Sequence, residues 1–447
     1  MESLPEKTQP PAPLPQPRSL VQSESAGSRF GGLLRQRDFF RLWAGQTISK
    51  FGSQIGNGAL GLAAILTLSA TPIQMGLLSA ASSVPILLVG LLAGVWVDRL
   101  RRRPLMIAAD LGRALLLASI PIAALLGSLR IEQLYIVAAL VSILTIFFDV
   151  AYESFLPSLV RREQLVEGNS KLALSDSVAE IAGPPLGGAL VQLISAPLTI
   201  AFDALSFLFS ALFLWRIRTR EPAPQVPQQR PGMWHDIGAG LRATLGSPLL
   251  RVLLGITIIF NLGGGIIGSL YGLYAIRELG LTPTLLGAVI GLGGVSALVG
   301  ALLAERVTRR LGLGRAITVA LAMIGAIGPL LPLAHGRFAV LLLLLGQAGD
   351  AAWSVYFIGA LSLRQSIVPA RLLGRVNASM QFLAAGAAPL GAIAGGVLAQ
   401  AIGLRPTIGV GVAIIICACI WGICSPLRQL RALPEPVDYD QPERRDS

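Results

Sequence analysis

Twelve apolar stretches constrain this 447-residue chain more than any other feature. They run over 40–66, 73–97, 104–126, 131–157, 167–194, 198–217, 248–276, 283–305, 315–334, 338–363, 373–402 and 406–426. About 20 apolar residues in a helix cross the hydrocarbon core of a bilayer. No water satisfies the backbone there, so each crossing segment must bond to itself. The chain therefore reads as an all-α integral membrane protein with twelve transmembrane helices. Only 13% of its residues are charged, against about 25% in soluble domains, which excludes an ordinary soluble enzyme. The 50 glycines suit close helix contacts in lipid.

Arginine sets the orientation. The net charge is +12, and Lys7, Lys50 and Lys171 are the only lysines. One set of loops holds the arginines at 99, 101–103, 161, 162, 216, 218, 220, 306, 309, 310, 315, 371 and 375. The opposite set holds only Arg130, Arg277, Arg337 and Arg405. By the positive-inside rule the first set is cytoplasmic, and an even number of spans then makes both termini cytoplasmic. Clusters placed between apolar runs do not form the aromatic-bearing basic module of a nucleic-acid binder, so no nucleic-acid partner is expected. Residues 1–37 read as a disordered Pro-rich tail without a signal-peptide core. Then come an N-terminal six-helix bundle (38–217), a cytoplasmic linker (218–246), a C-terminal six-helix bundle (247–430) and a second tail (431–447).

The halves repeat one another. The segment starting Arg41-Leu42 lines up with the one starting Arg251-Val252, at an offset of 210. Thr71-Pro72 and Gly76 recur as Thr282-Pro283 and Gly287. Asn169, Gly187-Gly188, Gln192 and Thr199-Ile200 recur as Asn377, Gly395-Gly396, Gln400 and Thr407-Ile408. Two related bundles place a binding site at their interface.

Three motifs carry more. Between the second and third spans stands Gly94-Val95-Trp96-Val97-Asp98-Arg99-Leu100-Arg101-Arg102-Arg103. Gly94 allows close helix approach, while Asp98 can cap the third helix or pair with an arginine across the bundles to close the cytoplasmic side. The plain alternative is a topogenic arginine cluster. The fifth span holds Gly183-Pro184-Pro185-Leu186-Gly187-Gly188, a bend with small faces. The fourth to sixth spans carry Phe147-Phe148-Asp149-Val150-Ala151-Tyr152-Glu153, Leu156-Pro157-Ser158 and Phe202-Asp203-Ala204-Leu205-Ser206-Phe207.

The first motif resembles the loop signature of the major facilitator superfamily, with Arg101 in place of its second glycine. The second resembles the end of the antiporter signature of that superfamily's drug:proton exporters, with Ala179 and Ser170 where upstream glycines are usual. The third group looks like the bacterial branch containing macrolide, tetracycline-type and siderophore (enterobactin-type) exporters. The resemblance covers about 40–430. It implies the major facilitator fold and efflux of a small molecule across the bacterial inner membrane, without naming the substrate.

Ionisable residues within the spans are costly in lipid and point to function. Lys50 lies within the first span. Asp149 and Glu153 are four apart in the fourth, and Asp176 and Glu180 repeat that spacing in the fifth, so each pair shares a helix face. Asp350 lies near the middle of the tenth. These six are the candidates for proton coupling or for the substrate cavity. The alternative for Lys50 is a permanent ion pair that only positions helices, and Glu153 can equally be a solvated residue near the cytoplasm. Asp110 and Arg113, three apart, read as a structural pair. Asp203 reads as a first-turn acid favoured by the helix dipole.

Cys417, Cys419 and Cys424 lack a second ligand cluster, so no metal is expected. His235 and His335 fall in polar connections. No phosphate-binding Gly-Lys-Ser/Thr loop is present, so ATP hydrolysis is not expected; the resemblance and the carboxylates within the spans imply a proton gradient as the energy source, with no cofactor. The expected activity is export by proton antiport with alternating access. The alternatives are a nutrient or lipid facilitator or importer, and a non-transporting sensor or scaffold. The small-molecule substrate and the bilayer are the expected partners.

Overall fold

A computed structural model describes residues 32–97, 99–219 and 233–430. Among these residues all regular structure is helical. The first half comprises α1 (Arg37–Leu62), α2 (Pro72–Val97), α3 (Arg102–Leu125), α4 (Ile131–Leu159), α5 (Leu165–Leu193) and α6 (Ala196–Arg216). A short α7 (Met233–Gly246) follows. The second half comprises α8 (Pro248–Arg277), α9 (Pro283–Leu311), α10 (Leu313–Ile327), α11 (Leu330–Leu333), α12 (Ala339–Gly346), α13 (Ala348–Ile367), α14 (Ala370–Ile402) and α15 (Leu404–Cys424).

The recurring Thr-Pro pairs are helix starts. Thr282 Oγ accepts from the Leu285 amide at 3.3 Å, and Pro283 occupies the first helical position, where a missing N–H costs nothing. Thr71 accepts from the Gln74 amide at 3.4 Å, while Gln74 Oε1 accepts from the Thr71 amide at 2.8 Å. That is a reciprocal cap at the start of α2.

Ten segments among the described residues are long and apolar enough to cross a membrane. α1 and α5 have 26 and 29 residues, ample length, but more polar sequences. Two expected helices are broken. Gly328-Pro329 separates α10 from α11, because proline offers no amide to continue the ladder. A kink at Gln347 separates α12 from α13, and the Gln347 side chain donates to the Val289 carbonyl of α9 at 2.7 Å.

Within the first half α1 packs on α5 and α6, α3 on α4 and α6, and α2 on α4. Within the second, α8 packs on α14 and α15, α9 on α13, and α10 on α13 and α15. The halves meet along α2–α14 and α5–α9. Their apolar cores are arranged unequally along the helices. At the end away from the arginine clusters one core is shared, joining Leu62, Ile120, Leu134 and Ile200 of the first half to Leu270, Tyr274, Leu343 and Ile408 of the second. At the arginine-bearing end there are two cores. One gathers Phe39, Met106 and Phe155, and the other Leu250, Ile317, Tyr356 and Leu363.

Two boundaries and the placement of one residue need correction. Residues 33–36, expected in the disordered tail, form a turn whose Leu33 is fully buried. The Leu33 amide donates to Glu167 Oε1 at 3.4 Å, and Gln36 Nε2 to Gln164 Oε1 at 3.2 Å. The tail up to 31 and the linker residues 220–232 lie outside the described residues, as does 431–447. The end of the expected linker is the helix α7, which packs on α14. Gly240 there lies so close to the Arg375 carbonyl and Ser379 that a side chain would overlap both. The stretch reads as polar because only part of it, including Ala243 and Thr244, is buried. Asp203 is the eighth residue of α6, not a first-turn residue, so the helix dipole does not account for it.

Candidate functional site: a charged cavity between the halves

α1 presents Gln46, Ser49, Lys50, Ser53, Gln54 and Asn57 to a cavity of about 760 Å³. Their spacing of three and four puts them on one face, which is why α1 is more polar than the ten most apolar spans. α2 adds Ser82, Ile86, Leu87 and Gly90, and α3 adds Arg113 and Leu117. α4 contributes Ser142, Thr145, Phe148 and Asp149 among apolar neighbours, and α6 contributes Asp203 and Phe207. The second half supplies Ala378, Gln381, Phe382 and Ala385 of α14. Every charge on the described wall therefore comes from the first half.

Arg113 is 4% exposed and Asp110 fully buried. The Arg113 Nη2 donates to Asp110 Oδ1 and Nη1 to Thr145 Oγ1 at 3.3 Å. Its guanidinium carbon lies 4.4 Å from the Phe148 ring centroid and 4.1 Å from that of Phe207. A guanidinium held between rings and a carboxylate is fixed in place. The pair is structural, as its spacing indicated, and it also sets a rigid cation in the cavity wall.

Asp203 is 4% exposed and accepts from Ser53 Oγ and Ser206 Oγ, each at 3.4 Å. Two glycines of α1 make this possible. A Cβ at Gly52 would lie 3.1 Å from Asp203 Oδ1, and one at Gly56 would overlap the carboxyl group. Sequence reasoning missed Asp203 and Arg113 as cavity residues. The Gly52/Gly56 spacing was the available clue, but it does not say which helix comes close.

The six sequence candidates separate into two places. Lys50 and Asp149 face the central cavity. Glu153, one turn along α4, and Asp176 of α5 are exposed and add negative charge near Asp149. Lys50 has no ion pair within 4.0 Å among the described residues, which corrects the permanent-pair alternative. Glu180 and Asp350 lie elsewhere, acting on each other electrostatically at the α5–α9 seam. A Cβ at Gly293 of α9 would lie 2.6 Å from Asp350 Oδ2, and one at Gly294 would lie 3.6 Å from the Glu180 carbonyl. Asp350 sits in the first turn of α13, just after the kink.

The α5 motif builds the seams. A side chain at Gly183 would overlap Gln54 of α1, one at Gly188 the Pro283 carbonyl of α9, and one at Gly287 of α9 the Pro184 carbonyl. On the other seam, a side chain at Gly76 of α2 would overlap the Ala392 carbonyl, and a Cβ at Gly396 would lie 2.9 Å from that of Pro72. These backbone contacts lie toward the end of the bundle away from the arginine clusters. Of the loop motif, Asp98 lies outside the described residues, and Gly94 belongs to the last turns of α2. Arg99 is exposed. Arg103 donates to the Leu214 carbonyl at 2.9 Å and to that of Trp215, satisfying the end of α6 in its own half. Arg102 starts α3. In the second half, at the end of α9, Arg309 pairs with Glu305 on the surface at 3.7 Å. His335 Nδ1 lies 2.6 Å from the Leu333 carbonyl.

Two pseudo-repeated helical halves enclosing a polar cavity define a multi-pass membrane transporter. Residues 30–444 match the family described as transmembrane secretion effector, and the chain belongs to that family of major facilitator transporters. It is 30% identical over 402 residues to the uncharacterized MFS-type transporter YfiS of Bacillus subtilis, covering 86% of this chain and 91% of the relative. It is 28% identical to the multidrug efflux pump Tap of Mycolicibacterium fortuitum, covering 83% and 92%. A bacterial homologue of the iron transporter ferroportin, solved in an inward-facing state, superposes with a TM-score of 0.73 at 20% identity, covering 87% of this chain and 98% of that one. These relatives are transporters, not enzymes.

Proposed function

We propose that this chain is a twelve-span exporter of the bacterial inner membrane. It moves a hydrophobic or amphipathic small molecule outward, of the drug-like, macrolide-like or siderophore kind, in exchange for protons. Its termini and linker face the cytoplasm. α1 and α5 complete the ten more apolar spans: α1 turns a polar face to the cavity, and its Trp43 and Thr47 hydrogen-bond Ser175 of α5. The observation that carries this reading is the arrangement of the cores. A core shared at one end and divided at the other supports a cavity that opens between the halves toward the arginine-bearing side. That is the inward-facing state of an alternating-access cycle, in which one half rocks against the other about a central site. The efflux function of Tap supports the outward direction.

Asp149 is the first choice for the coupling proton, since it alone among the acidic candidates lines the cavity that both bundles enclose. Glu180 and Asp350 instead sit at a seam that must open and close. The test is gradient-driven efflux in energised vesicles at equal protein level. Asp149→Asn keeps size and hydrogen bonding, and abolishes uphill, pH-dependent efflux while downhill exchange survives. Glu180→Gln retains uphill efflux at a reduced rate. Uphill transport by Asp149→Asn passes the carrier role to Glu180 or Asp350. A protein that moves no substrate in either direction is a sensor or scaffold, and net uptake driven by the gradient makes it an importer.

A further inference from the structure

Within the charged wall, two groups differ from the rest. Arg113 is matched by Asp110, and Asp203 is held by Ser53 and Ser206. Lys50 and Asp149 also line the cavity, yet neither has a hydrogen bond or an ion pair among the described residues. They are near enough for their charges to act on each other but more than 4.0 Å apart. Asp149 is exposed to the cavity and Lys50 is half-buried in its wall, so the space between these opposite charges is open cavity. The same cavity is lined by polar side chains of α1 and α4 and by the apolar side chains of Ile86, Leu87, Val150 and, from the second half, Phe382. A charge facing such a wall gains most from a partner that brings the complementary charge and an apolar body together.

We infer that Lys50 and Asp149 are the two poles of a receptor for zwitterionic amphiphiles. Lys50 takes an acidic group of the substrate and Asp149 takes its cationic group, while the apolar scaffold lies against α2 and α14. The inference rests on the transport reading and narrows its substrate class. A lipophilic cation satisfies Asp149 and leaves Lys50 unpaired, and an anion does the reverse. A zwitterion satisfies both, and it replaces the Lys50–Asp149 attraction without adding net charge to the site. Arg113 does not compete for the acidic group, because its guanidinium is engaged by Asp110 and enclosed by two rings.

The full chain in lipid nanodiscs is titrated with rhodamine B, which joins a xanthylium cation to a free carboxylate. The comparators are its ethyl ester, which is a cation only, and fluorescein, which is an anion only. Binding is read by fluorescence anisotropy after subtraction of empty nanodiscs. Wild type binds rhodamine B about tenfold or more tightly than either comparator, the worth of one charged hydrogen bond. Lys50→Gln erases the preference over the ester, and Lys50→Arg restores it. Asp149→Asn erases the preference over fluorescein. Equal binding of rhodamine B and its ester by wild type overturns the inference, as does a Lys50→Gln protein that keeps the preference. Gradient-driven dye efflux is measured alongside. Export without discrimination removes the zwitterion inference and leaves the exporter. Discrimination without gradient-driven movement keeps the inference and removes the exporter.

Discussion

The two halves descend from one pattern and have diverged where it matters. At the offset of 210 that aligns Arg41 with Arg251, the counterpart of Lys50 is Phe260. Lys50 lines the cavity. Phe260 is 7% exposed and packs at a tilt against Trp353 and stacked on Tyr356, at centroid distances of 4.9 and 6.0 Å. The first half thus spends its central α1 positions on charge, and the second half uses the matching α8 position to pack an aromatic core. Features that build the scaffold stay paired across the repeat: the Thr-Pro helix starts, and the glycines at 76, 188, 287 and 396 that line the seams. The symmetric features hold two bundles together, and the asymmetric ones give the cavity a charged wall and an uncharged, largely apolar wall. An amphipathic ligand needs both.

The comparison can be broken most severely at its charged core. Asp110→Leu strands the buried Arg113 without its counter-ion, a loss of about 3–5 kcal/mol. The expected outcome is little monodisperse protein by size-exclusion chromatography. Normal yield with an unchanged melting temperature removes the claim that the first half is built around that pair. Next come the seams, which are expected to behave alike in both halves. Gly188→Val and Gly287→Val each force a side chain into a facing carbonyl, and overpacking costs about 1–3 kcal/mol. Efflux falls about tenfold or more, and a cysteine placed in the cavity gains reactivity toward an impermeant thiol reagent added outside. No change in that labelling refutes the closed outer end.

A smaller effect sharpens the contrast between walls. Phe382→Ala, on the apolar side, raises the half-saturating substrate concentration by about tenfold, of the order of one lost large apolar contact. It leaves the pH dependence of efflux unchanged, whereas Asp149→Asn alters that dependence. An altered pH profile in Phe382→Ala argues against the division of labour. Smaller still is Gln347→Ala, which loses the hydrogen bond to the Val289 carbonyl at about 1 kcal/mol and lowers the melting temperature slightly. Glu305→Gln opens the surface pair with Arg309, whose side chains are 80% and 70% exposed. Such pairs contribute almost nothing, and stability and flux stay as in wild type.

Hydrophobic length alone marked the helices, because in lipid a segment must satisfy its own backbone. The expected boundaries agree with α1–α6 and α8–α15 to within a few residues at most ends, and the Thr-Pro starts were legible because caps are local. The Asp110–Arg113 pair was legible for the same reason. Long-range pairings were not. Nothing near Asp203 in sequence says that Gly52 and Gly56 will admit its carboxyl group. Nothing near Leu33 says that it will be buried beside Glu167 and Phe39. The candidates Asp149 and Glu180 looked equivalent, since each is an acid within a span. Their separation into cavity and seam depends on how α4, α5 and α9 face one another. Sequence determined which segments are helices, on which side the arginines gather, and that the chain is a doubled bundle, all of which follow from burial cost and local bonding. Only the tertiary structure decided which charges within the spans share a space and which remain without partners among the described residues, because that depends on the close approach of glycine-bearing helices distant in the chain.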